Sequence, residues 1–329
     1  MKITLAHGSG GKSTSELIDN VFAKAYANPV LSRMEDSAVV PGSGRIAVTT
    51  DSFVVTPIRY PGGDIGRLAV CGTVNDLLMS GAEPKYLTCG FILEEGADTE
   101  DLQDIARSMA ATAKEAGVLI VAGDTKVVNG TGEIYINTAG VGFVPEGLEI
   151  SSNRCRVGDK IILSGSLGDH HAAILSRRMG IENEIVSDCA PLCDIVNNLK
   201  QAGVSMHAMR DVTRGGLGTV LNEFARASGV TMELREEDLP VSEQVRAFCK
   251  LLGLDPMYMG NEGKMIAVVP EEQAETALKT IRQSRYGAQA AIIGQVTAPA
   301  ADSRVVLHTR LGGKRVVDVL HGEGLPRIC

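Results

Sequence analysis

Two hydrophobic rhythms alternate along the chain, one with the period of a strand and one with that of a helix. In the first half, β-branched and apolar runs predict strands over residues 38–40, 45–50, 85–93, 118–122 and 133–143. Between them, helical spacing predicts helices over 64–80, stopped by Gly81, and over 98–116, stopped by Gly117. After a crossing at 155–159 the rhythm resumes. Strands are predicted over 160–164, 204–208, 230–234, 264–269 and 290–296, with helices over 170–179, 216–227, 242–252 and 271–285. A strand-like coda covers 304–308 and 315–319. A polar glycine-rich segment, His7 to Lys12, precedes all of this and leads into a helix, with Ser13 and Glu16 in capping-box spacing. The pattern predicts an α+β protein of two similar halves. Its divisions are an N-terminal segment and helix (1–34), a first domain (35–150), a second (151–310) and a C-terminal tail (311–329).

Composition narrows the class. The 329 residues are 44% hydrophobic and 22% charged, which suits a water-soluble globular protein. The net charge of −8 comes with no basic block, which argues against non-specific nucleic-acid binding. The start, Met1-Lys2-Ile3-Thr4-Leu5, lacks a signal-peptide core, and no apolar run is long enough to span a membrane. With seven scattered cysteines, a cytoplasmic protein holding reduced thiols is expected. Cys189 and Cys193 stand four apart, as half of a metal site or as ordinary thiols.

Acidic residues recur where solvated charges do not belong. Asp51, Asp124 and Asp211 each follow an apolar strand run, and α/β proteins build sites at strand ends. Asp76, beside Asn75, sits inside a helix of Ala69, Val70, Cys71, Val74, Leu77, Leu78 and Met79. A carboxylate buried there needs a cation or hydrogen-bond donors. Each aspartate alone fits a cap or a turn; four in equivalent places favour a shared metal–phosphate site. The His7–Lys12 loop offers consecutive backbone N–H groups and a lysine, without Walker spacing, and Gly215-Gly216 opens a helix. Lys126 follows Asp124 by two positions, and Glu262 lies in Asn261-Glu262-Gly263-Lys264. These suit a charge stabiliser and a proton acceptor, although spacing by itself favours surface ion pairing. His170 and His171 follow Gly168-Asp169 and fit a structural role as well as a site border. The sequence ends Pro326-Arg327-Ile328-Cys329, a thiol with backbone on one side only. At an ordinary pKa of ~8.5, a few per cent of such a thiol is the nucleophilic thiolate at neutral pH.

These motifs, in this order, resemble the AIR-synthase-like (PurM-like) ATP-dependent superfamily. They include Thr50-Asp51-Ser52, Pro61-Gly62-Gly63-Asp64, Asn75-Asp76, Gly123-Asp124-Thr125-Lys126, Arg210-Asp211-Val212-Thr213-Arg214-Gly215-Gly216 and the Asn261–Lys264 run. The terminal Pro-Arg-Ile-Cys resembles the superfamily's hydrogenase-maturation carbamoyl dehydratases in particular. The resemblance implies a two-domain PurM-like fold whose N-terminal domain forms a β-barrel at a homodimer interface. A C-terminal α/β sandwich domain and a mobile tail complete it. It implies that Cys329 receives a carbamoyl group from the HypF carbamoyltransferase, that ATP and Mg²⁺ drive its dehydration to a thiocyanate, and that cyanide passes to a HypC–HypD complex. It also implies Asp51, Asp76, Asp124 and Asp211 as Mg–ATP ligands, with Asp36 as a further metal ligand. Gly10, Gly11 and Lys12 would hold phosphate. For the dehydration itself, Glu262 is the expected base and Lys126 orients the group. The alternatives are a selenophosphate-synthetase-like enzyme or a small-molecule kinase, which need no terminal thiol, and a non-catalytic thiol carrier, which leaves the aspartates without a task.

Overall fold

The computed structural model describes residues 2–4, 7, 16–33, 40, 42–299 and 303–319. The first half is built on β1 (Ile46–Phe53), β4 (Glu83–Glu94), β5 (Leu119–Val128) and β6 (Ile134–Phe143), an open sheet in the order β1-β6-β4-β5. A small hairpin, β2 (Arg59–Tyr60) with β3 (Gly63–Asp64), leads into helix α1 (Ile65–Met79). Asp64 caps that helix by accepting the Arg67 N–H at 2.8 Å, and Gly81, at φ +73°, follows its end. Helix α2 (Thr99–Ala116) links the parallel pair β4 and β5 and packs on α1.

Strand alternation sorts the sheet into two faces. Leu87, Cys89, Phe91 and Leu93 of β4 are buried towards the helices, while Ile46 and Val48 of β1 and Ile92 of β4 are exposed. Helix α1 lies directly on β6: a Cβ at Gly140 would stand 2.7 Å from the Thr73 methyl and 2.9 Å from Leu77 Cδ1. This close seat is what brings α1 side chains level with those of β1.

The second half is a seven-stranded sheet of β7 (Lys160–Leu163), β8 (Ala208–Asp211), β9 (Val230–Arg235), β10 (Met265–Val269), β11 (Ala291–Pro299), β12 (Arg304–His308) and β13 (Lys314–Val317). Their order is β13-β12-β9-β11-β7-β10-β8, antiparallel except for the β9–β12 pair. Around it lie α3 (Asp169–Met179), α4 (Cys193–Gln201), α5 (Gly216–Ser228), α6 (Glu243–Leu252) and α7 (Ala274–Gln283). Every residue of β10 is buried, as a five-residue apolar run of Met, Ile, Ala and Val requires.

The two halves share one core. Leu68, Cys71 and Val74 of α1 belong to the same buried cluster as Cys189, Leu192, Ile195 and Leu278 of the second half. Polar contacts reinforce the junction. Arg67 donates to the Cys189 carbonyl at 2.8 Å and pairs with Glu115 at 3.0 Å, and the Tyr286 hydroxyl donates to Glu115 at 2.5 Å. Burial alone would raise the Glu115 carboxyl, but the Tyr286 and Arg67 hydrogen bonds outweigh it and hold the group below its ordinary value.

Several elements depart from the sequence pattern. Strands β1 and β5 run past Asp51 and Asp124, so both aspartates lie within strands rather than beyond their ends. The strand expected over 204–208 is Ala208–Asp211, and the helix expected over 271–285 begins as a 3-10 turn, Glu271–Gln273. Helix α4 was not expected: Asp194, Asn197 and Asn198 dilute its signal, and burial of Ile195, Val196 and Leu199 compensates for weak propensity. Residues 18–23 form a π-helical segment, Ile18–Ala23.

Asn75 ties the halves most economically. Its amide donates to the carbonyls of Ala190 at 3.0 Å and Glu262 at 3.3 Å, and its oxygen accepts the Leu192 N–H at 2.9 Å. Asn75→Leu should therefore lower unfolding free energy in urea by about 3 kcal/mol or more, because buried backbone groups lose their partners.

Candidate active site

Thr49 and Asp51 point from β1 towards α1, where Thr73 and Asp76 meet them. The Thr73 hydroxyl donates to Asp51 Oδ2 at 3.2 Å, and the Thr49 hydroxyl donates to Asp76 Oδ2 at 2.9 Å. Both threonines are set by simple periodicity: two residues before Asp51 on a strand, three before Asp76 on a helix. Across the junction, β8 ends on the buried Asp211, placed by its register against Met265 of β10. Asp51, Asp76, Asp211, Glu262, Arg210 and Arg214 all line one cavity of about 610 Å³. The N-terminal end of α5 borders it through Thr213, Arg214 and Thr219.

Crowding acid groups in a partly dry site raises their proton affinity. Asp76 is pushed up to about 6, first by burial and then by repulsion from Asp51, with the Thr49 hydrogen bond and Arg210 opposing. Burial and then Asp76 push Asp211 up to about 7. Burial likewise raises Asp51, although Thr73 and Arg214 temper it. Glu262 is raised well above the ordinary carboxyl value, chiefly by burial and then by Cys189, Asp211 and Asp188, with Arg214 alone opposing among its main neighbours. Asp51, Asp76 and Asp211 carry the oxygen donors that a hard divalent cation takes, although among the described residues no three His, Cys, Asp or Glu side chains are placed to hold a metal ion as they stand.

Asp124 and Lys126 lie elsewhere. On β5 they stand opposite Gly90 and Ile92, on the outer face of the sheet, whereas Asp51 and Asp76 face the helix side. They pair with each other at 3.2 Å and are 68% and 65% exposed. Within one chain the sheet separates them from the cavity. Gly10, Gly11, Lys12, Asp36 and Cys329 lie outside the described residues. His170 shares a 2.7 Å hydrogen bond with Ser187 and meets Tyr60 edge-on, while His171 is buried and its pKa falls to about 4 by burial. Cys193 donates to the Ala116 carbonyl at 3.5 Å. Reading the sequence alone missed Thr49, Thr73 and the roles of Arg210 and Arg214, although all four were within reach of the motif spacing.

The family of AIR synthase related protein, N-terminal domain, matches residues 34–144, and its C-terminal domain counterpart matches 156–306. The carbamoyl dehydratase HypE of Azotobacter vinelandii is 51% identical, over 99% of this chain and 97% of that protein. The chain belongs to the HypE family. A crystal structure of the hydrogenase maturation protein HypE in complex with ATP superposes with a TM-score of 0.95 at 47% identity, covering 99% of each chain. HypE from a HypE–HypF complex gives a TM-score of 0.81 at 46% identity, over 92% of this chain and 99% of that one. Among the described residues, no helix is long and apolar enough to cross a membrane.

The raised carboxyls make a stability prediction. Asp76 and Asp211 hold their protons more tightly when folded, at about 6 and about 7 against an ordinary 3.8. As pH rises from about 4 to 7, the unfolded chain therefore ionises first, and their contribution to stability is lost through the folded values. In metal-free buffer, thermal unfolding of Asp211→Asn should show a smaller fall between pH 5 and 8 than the wild type shows.

Proposed function

We propose that this chain uses ATP and Mg²⁺ to dehydrate a carbamoyl group carried on its own Cys329, as a step in hydrogenase maturation. One observation carries this reading. Asp51, Asp76, Asp211 and Glu262 converge with Arg210 and Arg214 on a single cavity, in a chain 47% identical to a HypE that binds ATP. The HypF of the HypE–HypF complex is the natural carbamoyl donor, and a HypC–HypD complex the acceptor of cyanide.

The reaction balances as thiocarboxamide plus ATP giving thiocyanate, ADP and phosphate. Hydroxide is a poor leaving group, so the carbamoyl oxygen must first accept the γ-phosphoryl group. It then departs as phosphate while the nitrogen gives up its protons and the C≡N bond forms. Phosphoryl transfer depends on positioning and charge stabilisation. Asp51, Asp76 and Asp211 would hold Mg²⁺, which supplies charge neutralisation at the phosphate oxygens when bound. Arg210 and Arg214 add fixed positive charge to the same walls. Glu262 accepts a proton from nitrogen. In the ligand-free chain burial raises its proton affinity, and Arg214 is the neighbour that favours its ionised form. Positive charge brought into the cavity would lower that proton affinity and favour the ionised, proton-accepting form.

Asp124 and Lys126 join this chemistry through a second copy. The outer sheet face that carries them also exposes Ile46, Val48, Ile92 and Leu119, an apolar surface on an open sheet. Two such faces packed together would form the dimer-interface barrel and bring the Asp124–Lys126 pair of one protomer towards its partner. Gly10, Gly11, Lys12 and Asp36 complete the proposed phosphate and metal set.

With ATP and a carbamoyl donor system, mass spectrometry of the C-terminal peptide should show gain of one carbamoyl group and then loss of one water. Cys329→Ala should show neither, and Glu262→Gln should stop at the carbamoyl stage. A peptide that never gains carbamoyl, or a Glu262→Gln protein that dehydrates at the wild-type rate, would refute the corresponding assignment. Val48→Asp, which places a charge on the outer face, should shift sedimentation from dimer to monomer.

A further inference from the structure

The Asn261–Lys264 loop that presents Glu262 is gripped by a buried segment of the same half, residues 187–192. Asp188 lies at its centre. Its carboxylate accepts the Glu262 N–H with Oδ1 and the Gly263 N–H with Oδ2, each at 3.3 Å. It also pairs with Lys264 Nζ at 3.3 Å, and the two side chains are only 4% and 10% exposed. Lys264 in turn donates to the Gly263 carbonyl at 3.2 Å. The Glu262 carbonyl accepts from Ala190 N–H at 3.4 Å and from the Asn75 amide at 3.3 Å. Both peptide groups flanking the Glu262 side chain are therefore fixed by the same short segment.

The fit is close. A Cβ at position 263 would stand 1.9 Å from the Asp188 carbonyl oxygen, a contact with backbone that no rotamer relieves. Asn261 completes the loop by accepting the Gly168 N–H at 2.7 Å and donating to the Val212 carbonyl at 2.9 Å. Neither Asp188 nor Lys264 lines the cavity, so neither touches the reacting atoms. A buried ion pair is weak evidence for stability, because desolvation offsets much of its attraction. What this pair does distinctively is hold two adjacent N–H groups with one carboxylate, and that sets a direction for the loop.

We propose that Asp188, balanced by Lys264, is a positioning residue that aims the Glu262 carboxyl at the carbamoyl nitrogen during dehydration. The inference rests on Glu262 being the base, as proposed above. Displacement of a catalytic group by about 1 Å costs on the order of 100-fold in rate, and supporting partners behind a site are worth about 10–100-fold. An amide at 188 keeps the shape but can accept with one atom only, and it leaves Lys264 unpaired. A neutral pair at 188 and 264 removes the buried charges together while still lacking the two-fold acceptor.

The test is single-turnover dehydration of pre-carbamoylated full-length protein, followed by mass, for wild type, Asp188→Asn, Asp188→Asn/Lys264→Met and Glu262→Gln. The expected result is a rate at saturating ATP that falls about 10–100-fold in Asp188→Asn, with the ATP concentration for half-maximal rate unchanged within about twofold. The double variant should regain unfolding temperature relative to Asp188→Asn without regaining rate. Recovery of rate together with stability in the double variant would overturn the proposal, since the pair would then serve folding alone. A wild-type rate in Asp188→Asn, or a loss confined to ATP affinity, would overturn it too. Glu262→Gln separates the two levels. Abolished dehydration there with an unaffected Asp188→Asn refutes only the positioning role, whereas a wild-type rate in Glu262→Gln refutes the base assignment and this inference with it.

Discussion

A helix with no solvent-facing side can carry a polar group only where a partner meets it, and α1 is such a helix. It is covered by β1 and β6, by α2, and by the second half of the chain, and nearly all of its residues are buried. At two adjacent positions it nevertheless carries an amide and a carboxyl. Asn75 finds three backbone partners on the far side of the junction, and Asp76 finds Thr49, Asp51 and the cavity. The helical turn of about 100° between neighbours separates these two directions. One helix thus holds the halves together with one residue and lines the site with the next. The closeness of α1 to β6, allowed by the missing side chain at Gly140, keeps both in register.

The electrostatics follow from that placement. Asp51 and Asp76 come from elements of the first half, while Asp211 and Glu262 come from strand and loop positions of the second. None is buried with a counter-ion of its own beyond the arginines that share the cavity. The site resists its own negative charge, and each of these carboxyls holds its proton more tightly than an ordinary one does. Asp188 is the contrast. Its side chain, 4% exposed, has Lys264 and two N–H donors, and it holds the Glu262 loop without lining the cavity itself.

Much of this was legible in the sequence. Asp76 stood out because a charge amid Val74, Leu77 and Leu78 needs a reason, and the helix stops at Gly81 and Gly117 read directly from glycine chemistry. Helix α4 was hidden because its stability comes from burial of three apolar side chains, which local propensity does not register. The different location of Asp124 was hidden for another reason. An apolar run before an aspartate looks the same whether the strand stops there or continues, and only the register with β4 reveals that Asp124 faces outwards. Asp188 gave no signal at all, since its partners, two backbone N–H groups and the Lys264 side chain, lie some 75 residues away in sequence.

The bonds of Asn75 also limit how the molecule can work. With three hydrogen bonds from one side chain spanning the junction and a continuous core around it, the two walls of the cavity cannot swing apart as jaws. The cleft has a fixed gauge. Any ligand of the cavity must enter through its mouth and match its width, so selectivity here is that of a socket and not of a clamp.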